Sequence, residues 1–367
     1  MSAPQQQRTA KREHAFRWHA FGPFAVSALI VSIAAIFIAI SAAQDDVEAG
    51  TNPMAAKMKG ERVVATPSER LNALPDATKK NTDLVMKKFD PVTEPVKAGP
   101  KTFKLVTTER NVDVGGKLYK LWTFNDLIPG PTMRVVVGDR VTIKIKNEGK
   151  STYVHSIDYH SSRLSGGGGY VQVAPGEEGE FSFVAEYPGV FMYHCGTPPI
   201  LHHIGMGMYG MMIVQPKEGF GKPMKEYAFT QSELYANMGD MEAQLPAQTT
   251  FNGLPKQYLD EPIKLDADEE IRIFFLNAGP SHISSFHVVG TIMDTAFADG
   301  NPANQTIGRQ TIVLGASSSV VAEMKLVGEG TFPFVTHQFG HGEMGAVGAF
   351  VTGDGDPVGD GTEKMEH

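Results

Sequence analysis

Tyr193-His194-Cys195-Gly196-Thr197-Pro198-Pro199-Ile200-Leu201-His202-His203-Ile204-Gly205-Met206-Gly207-Met208-Tyr209-Gly210 is the stretch that decides the reading of the chain. It carries the only cysteine among 367 residues. His203 follows that cysteine by eight residues, and Met208 lies five beyond. A thiolate, an imidazole and a thioether on one short loop suit copper better than zinc, calcium or magnesium. A trigonal site of two histidines and a cysteine with a weak axial methionine needs a second histidine from elsewhere. His155, just past the strand-like run Val141–Ile145, is the candidate.

His194 extends the argument. Val190–Tyr193 reads as a strand, and neighbours on a strand point to opposite faces. If Cys195 serves one copper, His194 is aimed at the other side. A second metal there would be joined to the first through one peptide unit. With ~3.8 Å between adjacent Cα atoms, the two metals would lie on the order of 10–13 Å apart. The run Val154-His-Ser-Ile-Asp-Tyr-His160 repeats the split, because positions 155 and 160 have opposite parity. His155 therefore joins Cys195, His203 and Met208, while His160 joins His194.

A catalytic metal needs a third ligand and an open position. His337, in the second half of the chain, is the candidate, from the same chain or from a neighbouring one. His341 is the second choice, read otherwise as a solvated loop histidine. Asp158 lies between the two ligand histidines and is expected near the second metal. It would relay protons there or orient a ligand imidazole. His287, in Ser284-Ser-Phe-His-Val-Val-Gly290, reads on pattern as a satisfied core histidine, and His202 and His282 receive no role.

Composition sets the bounds. The net charge of −8 gives nucleic-acid binding no support. One cysteine excludes an intrachain disulfide and a C-x-x-C-H haem attachment. Residues 1–20 are basic, and residues 21–43 form an uncharged apolar run. That run is long enough for a ~30 Å hydrocarbon core and longer than the ~7–15 residues of a secretory h-region. It favours an uncleaved membrane anchor over a removed signal, for which Ser41-Ala42-Ala43 would be the cleavage site. Either way the basic end stays in the cytoplasm and the rest is exported to the periplasm. Residues 44–100 are polar and read as a linker, with a helix expected over Asp76–Lys88.

From residue 101 the pattern becomes short β runs with turn signals between them, which predicts an all-β fold of sandwiches. Two halves are expected, 101–218 and 222–353, followed by a flexible tail, 354–367. They look alike. Val137-Gly-Asp-Arg-Val-Thr-Ile-Lys-Ile-Lys-Asn147 is echoed by Ala267-Asp-Glu-Glu-Ile-Arg-Ile-Phe-Phe-Leu-Asn277, and Gly189–His194 by Gly330–His337. This is a tandem duplication. The second copy has no cysteine, so it cannot hold a thiolate–copper site of its own.

Taken together, His155-x-x-Asp158-x-His160, the pair His194-Cys195, His203-x₄-Met208, His287-Val-Val-Gly290 and Val335-Thr-His337 resemble copper-containing nitrite reductase. Pro129–Arg134 and Val173–Glu178 are similar to it too. The resemblance covers roughly residues 100–352. It implies two tandem Greek-key cupredoxin sandwiches, a homotrimer and two coppers per subunit. It implies type 1 copper on His155, Cys195, His203 and Met208. Type 2 copper would sit on His160 and His194 of one subunit and His337 of the next. It gives Asp158 and His287 to the substrate and its protons, replacing the core reading of His287. The implied reaction reduces nitrite by one electron and two protons to nitric oxide and water. The implied donor is a c-type cytochrome or a small cupredoxin. Three departures stand out. The Cys195–His203 loop is one residue shorter than in the best-known members, Tyr159 stands where phenylalanine is usual, and the membrane anchor is unusual.

Two rival readings remain. A two-domain laccase would need His-x-His pairs, and the chain has none. An anchored type 1 electron carrier would leave His160, His194 and His337 idle.

Overall fold

The computed structural model describes residues 65–163 and 170–355. The expected anchor at 21–43, the glycine run 166–169 and all but the start of the tail lie outside the described residues. Among the described residues, no helix is long and apolar enough to cross a membrane.

Two β-sandwiches follow one another. One sheet of the first holds Leu84–Val85 (β1), Lys101–Val114 (β2), Lys117–Phe124 (β3), Arg140–Asn147 (β5) and Glu178–Val184 (β8). Its other sheet holds Met133–Val136 (β4), His155–Tyr159 (β6), Tyr170–Val173 (β7), Gly189–His194 (β9) and Tyr209–Gln215 (β10). The second sandwich pairs a sheet of Lys225–Leu234 (β11), Gln248–Phe251 (β12), Glu270–Gly279 (β14), Met293–Ala298 (β16), Gln305–Arg309 (β17) and Ser319–Lys325 (β19) with another. That sheet comprises Glu261–Leu265 (β13), Ser284–Val288 (β15), Thr311–Leu314 (β18), Gly330–Thr336 (β20) and Val347–Thr352 (β21). The duplication is visible in strand order. β4-β10-β9-β6-β7 and β13-β21-β20-β15-β18 match strand for strand, each with a parallel first pair and antiparallel pairs after it.

Side-chain alternation explains which faces pack. In β5, Val141, Ile143 and Ile145 are buried, while Lys144 and Lys146 are exposed. One face meets the core and the other meets water. Its counterpart β14 is buried on both faces. Ile271, Ile273 and Phe275 enter the core of the second sandwich, and Phe274 and Leu276 enter a separate cluster. That cluster also takes Val112, Tyr119 and Leu121 from the first sandwich. The change from Lys144 and Lys146 to Phe274 and Leu276 therefore marks the face on which the two sandwiches meet. A buried ion network crosses the same junction. Glu226 pairs with Arg134 at 2.5 Å and with Arg272 at 2.6 Å, and Arg272 also reaches Glu323 at 2.6 Å.

The segment before residue 101 departs from expectation. No helix forms over Asp76–Lys88. The helix lies earlier, over Pro67–Asn72, where Thr66 and Glu69 make a reciprocal capping box. Asp76 instead bridges to Lys117, and Leu84–Val85 joins the edge of β2. The reason is the spacing of Leu84 and Met86, which both pack on the cluster between the sandwiches. Two apart is a strand period, not a helical one. From residue 65 onward this stretch belongs to the folded body, with Leu74 buried, rather than to a free linker.

Candidate metal centres

β9 and the residue after it carry two metal-capable side chains to two places. Val190 and Met192 pack into the cluster between the sandwiches, whereas Tyr193 and Cys195 pack into the core of the first sandwich. His194 shares the parity of Val190 and Met192, so the period of two separates it from Cys195. Two groups of metal-capable side chains result, each with donor atoms within 4.8 Å of one another. They are His155, Cys195 and His203, and Asp158, His160 and His194.

The first group is buried. Cys195 and His155 are fully shielded from solvent, and His203 nearly so. His203 Nδ1 lies 3.1 Å from Cys195 Sγ and 3.3 Å from His155 Nδ1. Two donors sharing one ion at bonds of ~2.0–2.3 Å can be at most about 4.3 Å apart, and both of these separations fall inside that limit. Burial holds both imidazoles near pKa 4, so neither carries charge at neutral pH. For His203 the adjacent His155 adds to the effect. Neutral imidazole is the ligating form. The sulfur accepts from the Ser156 N–H at 3.3 Å. The Ser156 hydroxyl accepts from Gly196 N–H and Thr197 Oγ1, both at 3.0 Å, and lies 3.5 Å from the sulfur.

The loop after Cys195 brings the methionine home. Pro199 begins the helix Ile200–Gly205, which buries His203 and leaves His202 to meet Glu242 at 3.0 Å. Gly207 then turns with φ +118°, and a Cβ there would stand 2.9 Å from the Trp122 carbonyl. Only glycine satisfies both conditions. The return puts Met208 beside the cysteine, with Cys195 N–H donating to Met208 O at 3.1 Å. Met208 is fully buried in the same core cluster. Trp122 closes the site, with its ring 4.6 Å from that of His203 and 5.5 Å from that of His155.

The second group is open on one side. His160 Nε2 and His194 Nε2 lie 3.0 Å apart, with ring planes at 87°. His194 Nδ1 donates to the Cys195 carbonyl at 2.9 Å, which leaves Nε2 free to bind. Asp158 Oδ2 is 3.7 Å from His194 Nε2, and its side chain is 43% exposed. Burial and the neighbouring His194 lower the pKa of His160, while Asp158 opposes this.

His337 is in neither group. It is exposed at the end of β20, with its ring 5.0 Å from that of His287. His287 is not a core residue. It points from the outer face of β15, half-buried, and bonds the Gln310 carbonyl. The pattern misleads because alternate positions, Phe286 and Val288, fill the core. His341 is not a solvated loop histidine. It lies in the short helix Phe339–Glu343, its ring 4.7 Å from that of His282, and its buried Nδ1 has no hydrogen-bond partner.

The profile of the multicopper oxidase family matches residues 106–219. The chain is 34% identical over 262 residues to the copper-containing nitrite reductases of Neisseria gonorrhoeae and Neisseria meningitidis serogroup B (strain ATCC BAA-335 / MC58). Each alignment covers 66% of this chain, and they cover 66% and 67% of those proteins. The solved copper nitrite reductase of Nitrosomonas europaea is 33% identical. It superposes with a TM-score of 0.65 over 70% of this chain and 96% of that one. The chain belongs to the copper-containing nitrite reductases. Copper is accordingly the metal of its centres. The donor set fits it, because a buried cysteine sulfur and two neutral imidazoles are soft and borderline ligands, and Met208 is buried in the same core cluster. Among the nitrite reductase residues that pattern reading missed, Ser156, Trp122 and Glu109 touch the buried site. Ser156 could have been suspected from its place beside His155, but nothing local to Trp122 or Glu109 announces a role.

Proposed function

We propose that this nitrite reductase converts nitrite, one electron and two protons to nitric oxide and water, using two coppers per subunit. Type 1 copper belongs on His155, Cys195, His203 and Met208. Type 2 copper belongs on His160 and His194, with His337 of a neighbouring copy as third ligand. The observation that carries this reading is that adjacent residues, Cys195 and His194, lie in two separate donor groups. When bound, the coppers supply one-electron transfer and a Lewis-acidic position for nitrite.

The protein's own groups do the rest. Cys195 and His194 join the two donor sets by one peptide unit. Asp158, partly exposed beside His194 Nε2, is placed to relay a proton to the nitrite oxygen that leaves as water. His287 arrives with His337 and is the second proton group.

A homotrimer is supported by the face that carries His287 and His337. Ile283, Val289, Val313 and Phe339 are 45%, 41%, 66% and 60% exposed around them. Clustered apolar exposure of this kind marks an interface. An external donor, a c-type cytochrome or a small cupredoxin, would supply electrons. Residues 21–43 would anchor the enzyme to the inner membrane with its body in the periplasm, a reading supported by sequence alone.

The test is nitric oxide release from nitrite by the copper-loaded protein under a chemical reductant, read with an NO electrode. One NO per electron is expected. Consumption of oxygen with phenols, and no NO, would favour the laccase reading. Copper reduction without turnover would favour the carrier.

A further inference from the structure

We propose that Glu109 is a positioning residue of the type 1 centre, which fixes His155 through the backbone and lowers the reduction potential of the copper through its charge. The inference rests on the type 1 reading given above.

Glu109 lies on β2 with its side chain only 17% exposed. Its Oε1 accepts the backbone N–H groups of Thr152 and Tyr153, each at 2.8 Å. These residues lead directly into β6, which starts at His155. The same oxygen lies 3.4 Å from His155 Nε2. That nitrogen is buried and has no hydrogen-bond partner. Since Nδ1 is turned toward His203 and Cys195, the ring proton belongs on Nε2, facing the carboxylate. At 3.4 Å the contact is longer than an ordinary hydrogen bond, so its effect is chiefly electrostatic. Arg110 next door is occupied elsewhere, by Glu148 at 2.6 Å and Asp126 at 3.1 Å.

A negative charge beside a ligand imidazole favours the oxidised, more positive copper over the reduced one. In a half-buried setting that preference is only partly screened. Glu109 thus performs two tasks with one oxygen. It pins the approach to β6, and it biases the metal.

The two tasks separate in the variant Glu109→Gln. The amide oxygen still accepts both backbone N–H groups, but the charge is gone. The test is a redox titration of the thiolate-to-copper absorption band in copper-loaded protein, with Glu109→Asp alongside. Glu109→Gln is expected to keep the band and show a higher midpoint potential than the unmodified protein. An unchanged or lower potential overturns the proposal. Should Glu109→Gln lose the band, its retention in Glu109→Asp would still assign the effect to charge. Loss in both would overturn the electrostatic role. Absence of the band from the unmodified protein would overturn the type 1 reading itself, and this proposal with it.

Discussion

His160 Nε2 and His194 Nε2 face each other across 3.0 Å, while Cys195, the next residue, bonds away from them into a buried pocket. Two like nitrogens at that distance, with rings at 87°, are arranged for a shared ion. Replacing His194 with alanine is expected to remove one copper per chain and spare the other. Metal analysis and optical spectra check it. The thiolate band should persist while nitrite turnover disappears.

Asp158 sits beside that pair without being buried by it. Asp158→Asn is expected to retain both coppers and lose about 10²–10⁴-fold in nitrite turnover, the usual worth of a positioned proton donor. Steady-state NO production with a copper count on the same sample measures this. Unchanged turnover would remove its proton role.

Much of this was legible in the chain because a strand has a period of two. The opposed directions of residues 194 and 195, and of 155 and 160, follow from parity alone. So does the amphipathic β5. What parity cannot supply is the environment of a face. Phe274 and Leu276 stand where Lys144 and Lys146 do because another sandwich covers them, and only the assembled fold shows that. A core reading of His287 from pattern alone fails for the same reason. Its apolar neighbours Phe286 and Val288 are core residues, but its own face is outside. Glu109 was invisible because it meets His155 only when β2 is folded against the approach to β6. The helix at Pro67–Asn72 did carry its signature, the Thr66-x-x-Glu69 spacing.

Glu226 holds two buried arginines, Arg134 from the first sandwich and Arg272 from the second. Glu226→Ala would leave both guanidinium groups without their shared partner in a dry junction. A loss of about 3–5 kcal/mol in unfolding free energy is expected, measured by urea denaturation. A change below about 1 kcal/mol would mean that solvent reaches the network.

His341 should confer an acid sensitivity. Burial, with His282 beside it, lowers its pKa to about 4 from the usual 6.5. The folded state therefore binds fewer protons than the unfolded state between those values. Its stabilising contribution is complete above pH 6.5 and is lost as pH falls toward 4. His341→Gln is expected to make unfolding free energy less steeply dependent on pH across that window. Parallel slopes in the two proteins would rule the linkage out.

The central claim is that neighbouring residues serve two distinct coppers, only one of which meets nitrite. An electron paramagnetic resonance spectrum of the oxidised, copper-loaded protein, titrated with nitrite, tests it most directly. Two cupric signals are expected, with nitrite altering only the signal that Glu109→Gln leaves alone and His194→Ala abolishes. A single signal, or a nitrite effect confined to the thiolate-bound copper, would contradict the account.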